Sequence, residues 1–144
     1  SDITFKFSKD QTGGNFGALE MTIPPGILGA PPHLHKGLDE VCRVLEGTIH
    51  IMVGEDVVAV EAGGWHLRPK GVVHTFWNSG STPAKIIELC LPGGHEAYMN
   101  ELSDLFINNA RPQPGALNEL AKKYDINFDW AKLPVVMETY KVRL

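Results

Sequence analysis

The stretch Pro31-Pro32-His33-Leu34-His35-Lys36-Gly37-Leu38-Asp39-Glu40 decides the reading of this chain, together with the later run from Gly63 to Asn78 that carries His74. Residues two apart on a strand point to the same side, so His33 and His35 can offer two imidazoles to one point. Glu40 breaks that parity, and Lys36-Gly37-Leu38-Asp39 supplies the turn that brings its carboxylate back from a new strand. His74 arrives from a separate hairpin. Three neutral imidazoles and one carboxylate suit a single divalent ion with open coordination positions, which can be Fe, Mn, Ni, Co or Zn. Each residue alone has a plainer reading. An exposed or core-satisfied pair explains His33 and His35, a solvated charge explains Glu40, and a buried ring bonded to a carbonyl explains His74.

Around this stretch, short strand-like runs alternate with Gly/Pro turns. Thr4 to Phe7 and Ala18 to Ile23 read as strands forming a lid or edge feature, separated by the flexible segment Ser8 to Asn15. Val41 to Val53 reads as two strand segments around Gly47, followed by Val57 to Val60, Trp65 to Arg68, His74 to Trp77 and Ala84 to Leu91. Many short strands at close spacing favour a sandwich or barrel. After Pro92-Gly93-Gly94 the texture changes. Tyr98, Met99, Leu102, Leu105 and Phe106 form one helical stripe, Leu117, Leu120, Ala121 and Tyr124 a second, and both are read as packing outside the barrel. Pro134 to Leu144 is read as an edge strand. The chain is expected to form one domain over residues 1–144, with a barrel core at about 17–92 and a helical tail at about 95–131.

The formal charge of −4, from 13 Lys+Arg and 17 Asp+Glu, gives no electrostatic footprint for nucleic acid or an anionic membrane. No apolar run reaches the roughly 20 residues of a membrane span, and the start SDITFKFSKD lacks the pattern of a secretory signal, so a cytoplasmic protein is expected. Cys42 and Cys90 are read as two reduced, buried thiols.

The two histidine-bearing stretches resemble the motifs of the cupin superfamily. The first motif is matched by His33, His35, Glu40 and Gly47, with Gly26 one residue further from His33 than the family pattern has it. The second is matched in full by Gly63, Pro69, Gly71, His74 and Asn78. Within the superfamily the chain looks like small single-domain cupins related to quercetin-dioxygenase-like proteins. The resemblance implies an all-β fold, a double-stranded β-helix or jelly-roll barrel with the C-terminal helices outside, and His33, His35, Glu40 and His74 as metal ligands. It also implies a homodimer.

The function expected on this basis is metal-dependent, dioxygenase-like oxidation of a small organic substrate. The alternatives are a non-enzymatic binding or sensing cupin and a metal-dependent isomerase, since fold alone does not choose the chemistry. An apolar or aromatic ligand is expected from walls containing Met21, Ile23, Cys42, Phe76 or Leu89. His50 and His66 are acid/base candidates whose plainer reading is a surface or mouth position, and Trp65 and Trp77 are rim candidates. No catalytic base beyond the metal ligands is named.

Overall fold

The computed structural model describes residues 1–109 and 111–144. Strands β1 (Asp2–Phe7), β2 (Gly17–Ile23), β3 (His33–His35), β4 (Asp39–Glu46), β5 (Thr48–Val53), β6 (Asp56–Glu61), β7 (Trp65–Arg68), β8 (His74–Trp77) and β9 (Ala84–Leu91) precede helices α1 (His95–Asn108) and α2 (Pro114–Lys123). A short strand β10 (Ile126–Phe128) and helix α3 (Lys132–Tyr140) follow.

Two five-stranded antiparallel sheets result, in the orders β1-β2-β9-β4-β7 and β10-β3-β8-β5-β6. Strand alternation fills the space between them: Met21 and Ile23 from β2, Cys42 and Val44 from β4, and Ile86 from β9 meet Ile49, Ile51 and Phe76 of the other sheet. Both cysteines are free and buried.

The expectation of an all-β, closed jelly-roll barrel is corrected here. No ladder joins the two sheets among the described residues, so the sheets stay open and separate. Helices of 14, 10 and 9 residues add a substantial helical part. Apolar alternation within a strand reports which face is buried, but not whether the edge strands of two sheets meet. The reading of Pro134 to Leu144 as an edge strand is also overturned, because Leu133, Val136, Met137 and Tyr140 recur at helical spacing and pack as α3 on Trp77 and Met52. Pro134 is tolerated there because it lies in the first turn. Trp77 is therefore core, 4.5 Å from the ring of Tyr140, while Trp65 is exposed beneath the Arg43 guanidinium.

Gly47 joins β4 to β5 at φ +75°, and a Cβ there would stand 3.1 Å from Ala84 Cα. The backbone conformation and the space both exclude a branched side chain. Gly47→Val is expected to lower stability by about 1–3 kcal/mol, read from urea unfolding.

Candidate metal centre

The four residues singled out in the sequence converge. His33 and His35 lie on β3, and β3 pairs with β8 so that His33 is registered directly opposite His74. Glu40 comes from β4 in the facing sheet. The centre therefore sits between the sheets, with imidazoles from one side and the carboxylate from the other. All four side chains are buried, and their ligand atoms lie within 4.8 Å of one another.

Contacts behind the rings set the histidine tautomers. His33 Nδ1 lies 2.7 Å from the Pro31 carbonyl and His74 Nδ1 lies 3.2 Å from that of Val72. A carbonyl only accepts, so each Nδ1 donates and each Nε2 of the neutral ring presents a lone pair inward. His33 Nε2 and His35 Nε2 are 3.2 Å apart. Metal–nitrogen bonds of about 2.1 Å at angles between square and tetrahedral separate neighbouring ligand nitrogens by about 3.0–3.4 Å, which fits. Gly71 N donates to the His35 carbonyl at 2.6 Å, tying the loop before His74 to the ligand strand.

Buried polar atoms without partners provide the test of fit. Glu40 Oε1 and His74 Nε2 are buried and form no hydrogen bond, although Glu40 Oε1 stands 2.6 Å from His35 Nε2 and 3.5 Å from His74 Nε2. Orphaned buried acceptors are costly unless something occupies the point they share. The four residues form a site for a single divalent metal ion of unspecified identity.

The other Glu40 oxygen, Oε2, accepts from Arg68 Nη2 at 2.9 Å. The same nitrogen donates to Glu88 Oε2, so one fully buried guanidinium binds two carboxylates. Burial opposes ionisation of Glu40, but Arg68 and then contacts with His35 and His74 outweigh it and hold the carboxyl well below the usual range. Burial, opposed by Arg68 and reinforced by Glu40, pushes Glu88 up to about 8. Burial, with His74 and His35 nearby, lowers His33, and burial lowers His95 to about 4.

These shifts give a pH prediction for the metal-free protein. Glu88 keeps a proton in the folded state that the unfolded chain, titrating near 4.5, has released, so stability falls as pH rises from about 4.5 to about 8. His33 and His95 act in the opposite sense, with a window that ends near the unfolded value of 6.5. Glu40 contributes only below its unfolded value near 4.5. Stability is therefore expected to drop by about 1 kcal/mol between pH 7 and pH 8, read from urea midpoints in EDTA.

A cavity of about 360 Å³ adjoins the centre, and His33, Glu40, Glu88 and His95 are among the residues that line it. Its walls are otherwise apolar, with Met21 and Phe76 from the sheets and Tyr98, Leu102, Phe128 and Trp130 from the C-terminal part. The tail thus roofs the cavity rather than lying only outside the sheets. Its strand β10 pairs with the ligand strand, Phe128 opposite His33 and Ile126 opposite His35.

Several residues depart from the sequence reading. Cys42 and Ile23 are core, and Leu89 faces away, because the inward residues of β9 are Ala84, Ile86, Glu88 and Cys90. His50 stacks on Trp77 and bonds Ser79, and His66 lies opposite Cys42 on an edge strand, so neither reaches the cavity. Sequence reasoning misses Arg68, Glu88 and His95. For Glu88 a signal exists, since alternation from Ala84 to Cys90 sets a carboxylate on an apolar face. His95, whose ring stands 5.3 Å from that of His35, follows a Gly-Gly turn and carries no such signal.

The cupin domain family matches residues 19–90, half of the 144-residue chain. The chain belongs to this family. The family shown is the cupin domain as a whole, and no narrower quercetin-dioxygenase-like group. This cupin is similar to a solved structure of a predicted oxalate decarboxylase from Thermotoga maritima (22% identity, 62% of this chain and 78% of that one, TM-score 0.60). It is also similar to a cupin-superfamily sugar phosphate isomerase from Silicibacter pomeroyi (23% identity, 62% of this chain and 59% of that one, TM-score 0.53). A third likeness is to a protein from Thermus thermophilus (26% identity, 55% of this chain and 74% of that one, TM-score 0.52). At these identities the first two likenesses show the fold alone. No match to a curated protein sequence was found. Among the described residues no helix is long and apolar enough to cross a membrane.

Proposed function

We propose that this cupin is a metal-dependent enzyme that rearranges a small, mostly apolar organic molecule by proton transfer, in the manner of an isomerase. One observation carries this reading: Glu88 and His95, two side chains able to hold and return a proton, line the same cavity as the ligands His33 and Glu40.

A divalent ion held by His33, His35, Glu40 and His74 supplies Lewis acidity toward a substrate oxygen. The chain's own residues do the rest. Glu88 Oε1 or the His95 imidazole takes a proton from the molecule, and the same group or the other returns it at a neighbouring atom, so no oxidant or co-reactant is consumed. Met21, Phe76, Tyr98 and Phe128 exclude water and match an apolar body. Because residues from both the 17–92 region and the 95–131 tail line the cavity, we read residues 1–144 as one working unit.

The test compares Zn-loaded and Fe-loaded protein on a panel of small carbonyl compounds, with and without dioxygen. Anaerobic turnover by the Zn form is the expected result. Turnover that requires dioxygen and disappears with Zn restores the dioxygenase-like reading, and saturable binding with no turnover restores the binding or sensing one.

A further inference from the structure

Arg68 Nη2 grips one oxygen of Glu40 and one of Glu88, and each carboxylate is left with a second oxygen, Oε1, that is buried and unpaired. The free oxygen of Glu40 belongs to the metal centre. That of Glu88 lies outside the ligand cluster, and the proton exchange proposed for it needs a polar group of the bound molecule held against it. Glu88 is 3% exposed and lines the same cavity as His33, Glu40 and His95, so its Oε1 is a buried, unpaired hydrogen-bonding atom in a mostly apolar chamber. Arg68 is itself fully buried and packed over Phe76 at 4.8 Å, which leaves the Glu88 carboxylate little freedom to turn away.

We propose that Glu88 is a specificity-determining residue which anchors a hydroxyl group on the bound molecule next to the oxygen held by the metal. This rests on the metal reading of the His33, His35, Glu40 and His74 centre. The substrate class is then a small apolar compound with a hydroxyl adjacent to a carbonyl or carboxylate. A hydroxyl is the group required because it both donates and accepts, and so satisfies Glu88 Oε1 whether that carboxyl is ionised or protonated. The placement beside the metal-bound oxygen follows from the shared Arg68 nitrogen, which holds the two carboxylates side by side. A ligand lacking the hydroxyl would enter the cavity and leave Glu88 Oε1 unpaired, the arrangement that discriminates most strongly against an analogue.

The test uses Co(II)-loaded protein and two probes that differ by one hydroxyl, mandelate and phenylacetate, with binding followed by the visible cobalt spectrum. The native chain is expected to bind mandelate about 10-fold or more tighter than phenylacetate. Glu88→Leu should reduce that ratio to near one while cobalt content stays the same, and Glu88→Met, which keeps the length without a strong hydrogen-bonding group should Leu fail to fold, should reduce it to less than about 3-fold. Equal binding of the two acids by the native chain, binding of neither, or an unchanged ratio in a folded variant overturns the assignment of Glu88 and leaves the metal centre standing. Failure of the native chain to take up cobalt overturns the metal reading and this inference with it.

Discussion

Replacing His35 by Ala is expected to abolish stoichiometric metal binding, taking the content from close to one ion per chain to a small fraction of that and lowering affinity on the order of 100-fold or more. His35 is 2% exposed, and its Nε2 stands 3.2 Å from His33 Nε2 and 2.6 Å from Glu40 Oε1, so it is the ligand nearest to two others. Losing it leaves a site with one ligand fewer. The fold should persist, because the pairing of β3 with β10 runs through backbone groups. Elemental analysis of protein purified without added metal or nickel resin, with circular dichroism as the control for folding, decides the matter. Unchanged stoichiometry in a folded variant would mean that the ion is held elsewhere.

Arg68→Ala is expected to be the most destabilising single change at the site, by about 3–5 kcal/mol in the metal-free protein. The guanidinium is the cation between Glu40 and Glu88, which are 6% and 3% exposed, and its removal leaves the buried Glu40 carboxylate uncompensated beside the Glu88 carboxyl, which keeps its proton up to about pH 8. The contact of Arg68 with the Phe76 ring is lost as well. Adding Glu88→Gln to Arg68→Ala should recover little at pH 7, where Glu88 already holds a proton, and the double-mutant cycle measures that coupling. The measurement is urea unfolding in EDTA, since a bound divalent ion would mask the missing cation. A loss below about 1 kcal/mol would show that the Glu40 and Glu88 carboxylates do not depend on Arg68 for compensation.

Most strands are legible in the sequence because their signals are local. The runs Val41 to Val53, Trp65 to Arg68, His74 to Trp77 and Ala84 to Leu91 correspond to β4, β5, β7, β8 and β9, with Gly47 marking the break between the first two. The stripe from Tyr98 falls within α1, and the stripe from Leu117 falls within α2 except for Tyr124, which caps its C-terminus. Strand β10 escapes such a reading, since three residues following a helix carry too little period to register. Helix α3 reads as a strand because Val135 and Val136 favour extended backbone in isolation, while the stripe that docks on Trp77 acts only once the second sheet exists. Asn78, a position of the second motif, satisfies the backbone of the turn that follows it. Its side chain donates to the Ile23 and Thr82 carbonyls and accepts from Gly80 N, a turn-satisfying role expected of asparagine next to a Gly-Ser run.

Residue type and spacing were enough to single out the four side chains that cluster, His33, His35, Glu40 and His74, because the strand parity of a His-x-His pair is a local property. Sheet partnership belongs to the tertiary structure. Only there does Glu40 face the histidines from the opposite sheet, Arg68 join Glu40 to Glu88, and the C-terminal segment bring His95 and β10 over the cavity. Each of these contacts spans residues far apart in sequence, where the deciding quantities are which edges remain open and which buried charges find a partner. Local patterning encodes neither.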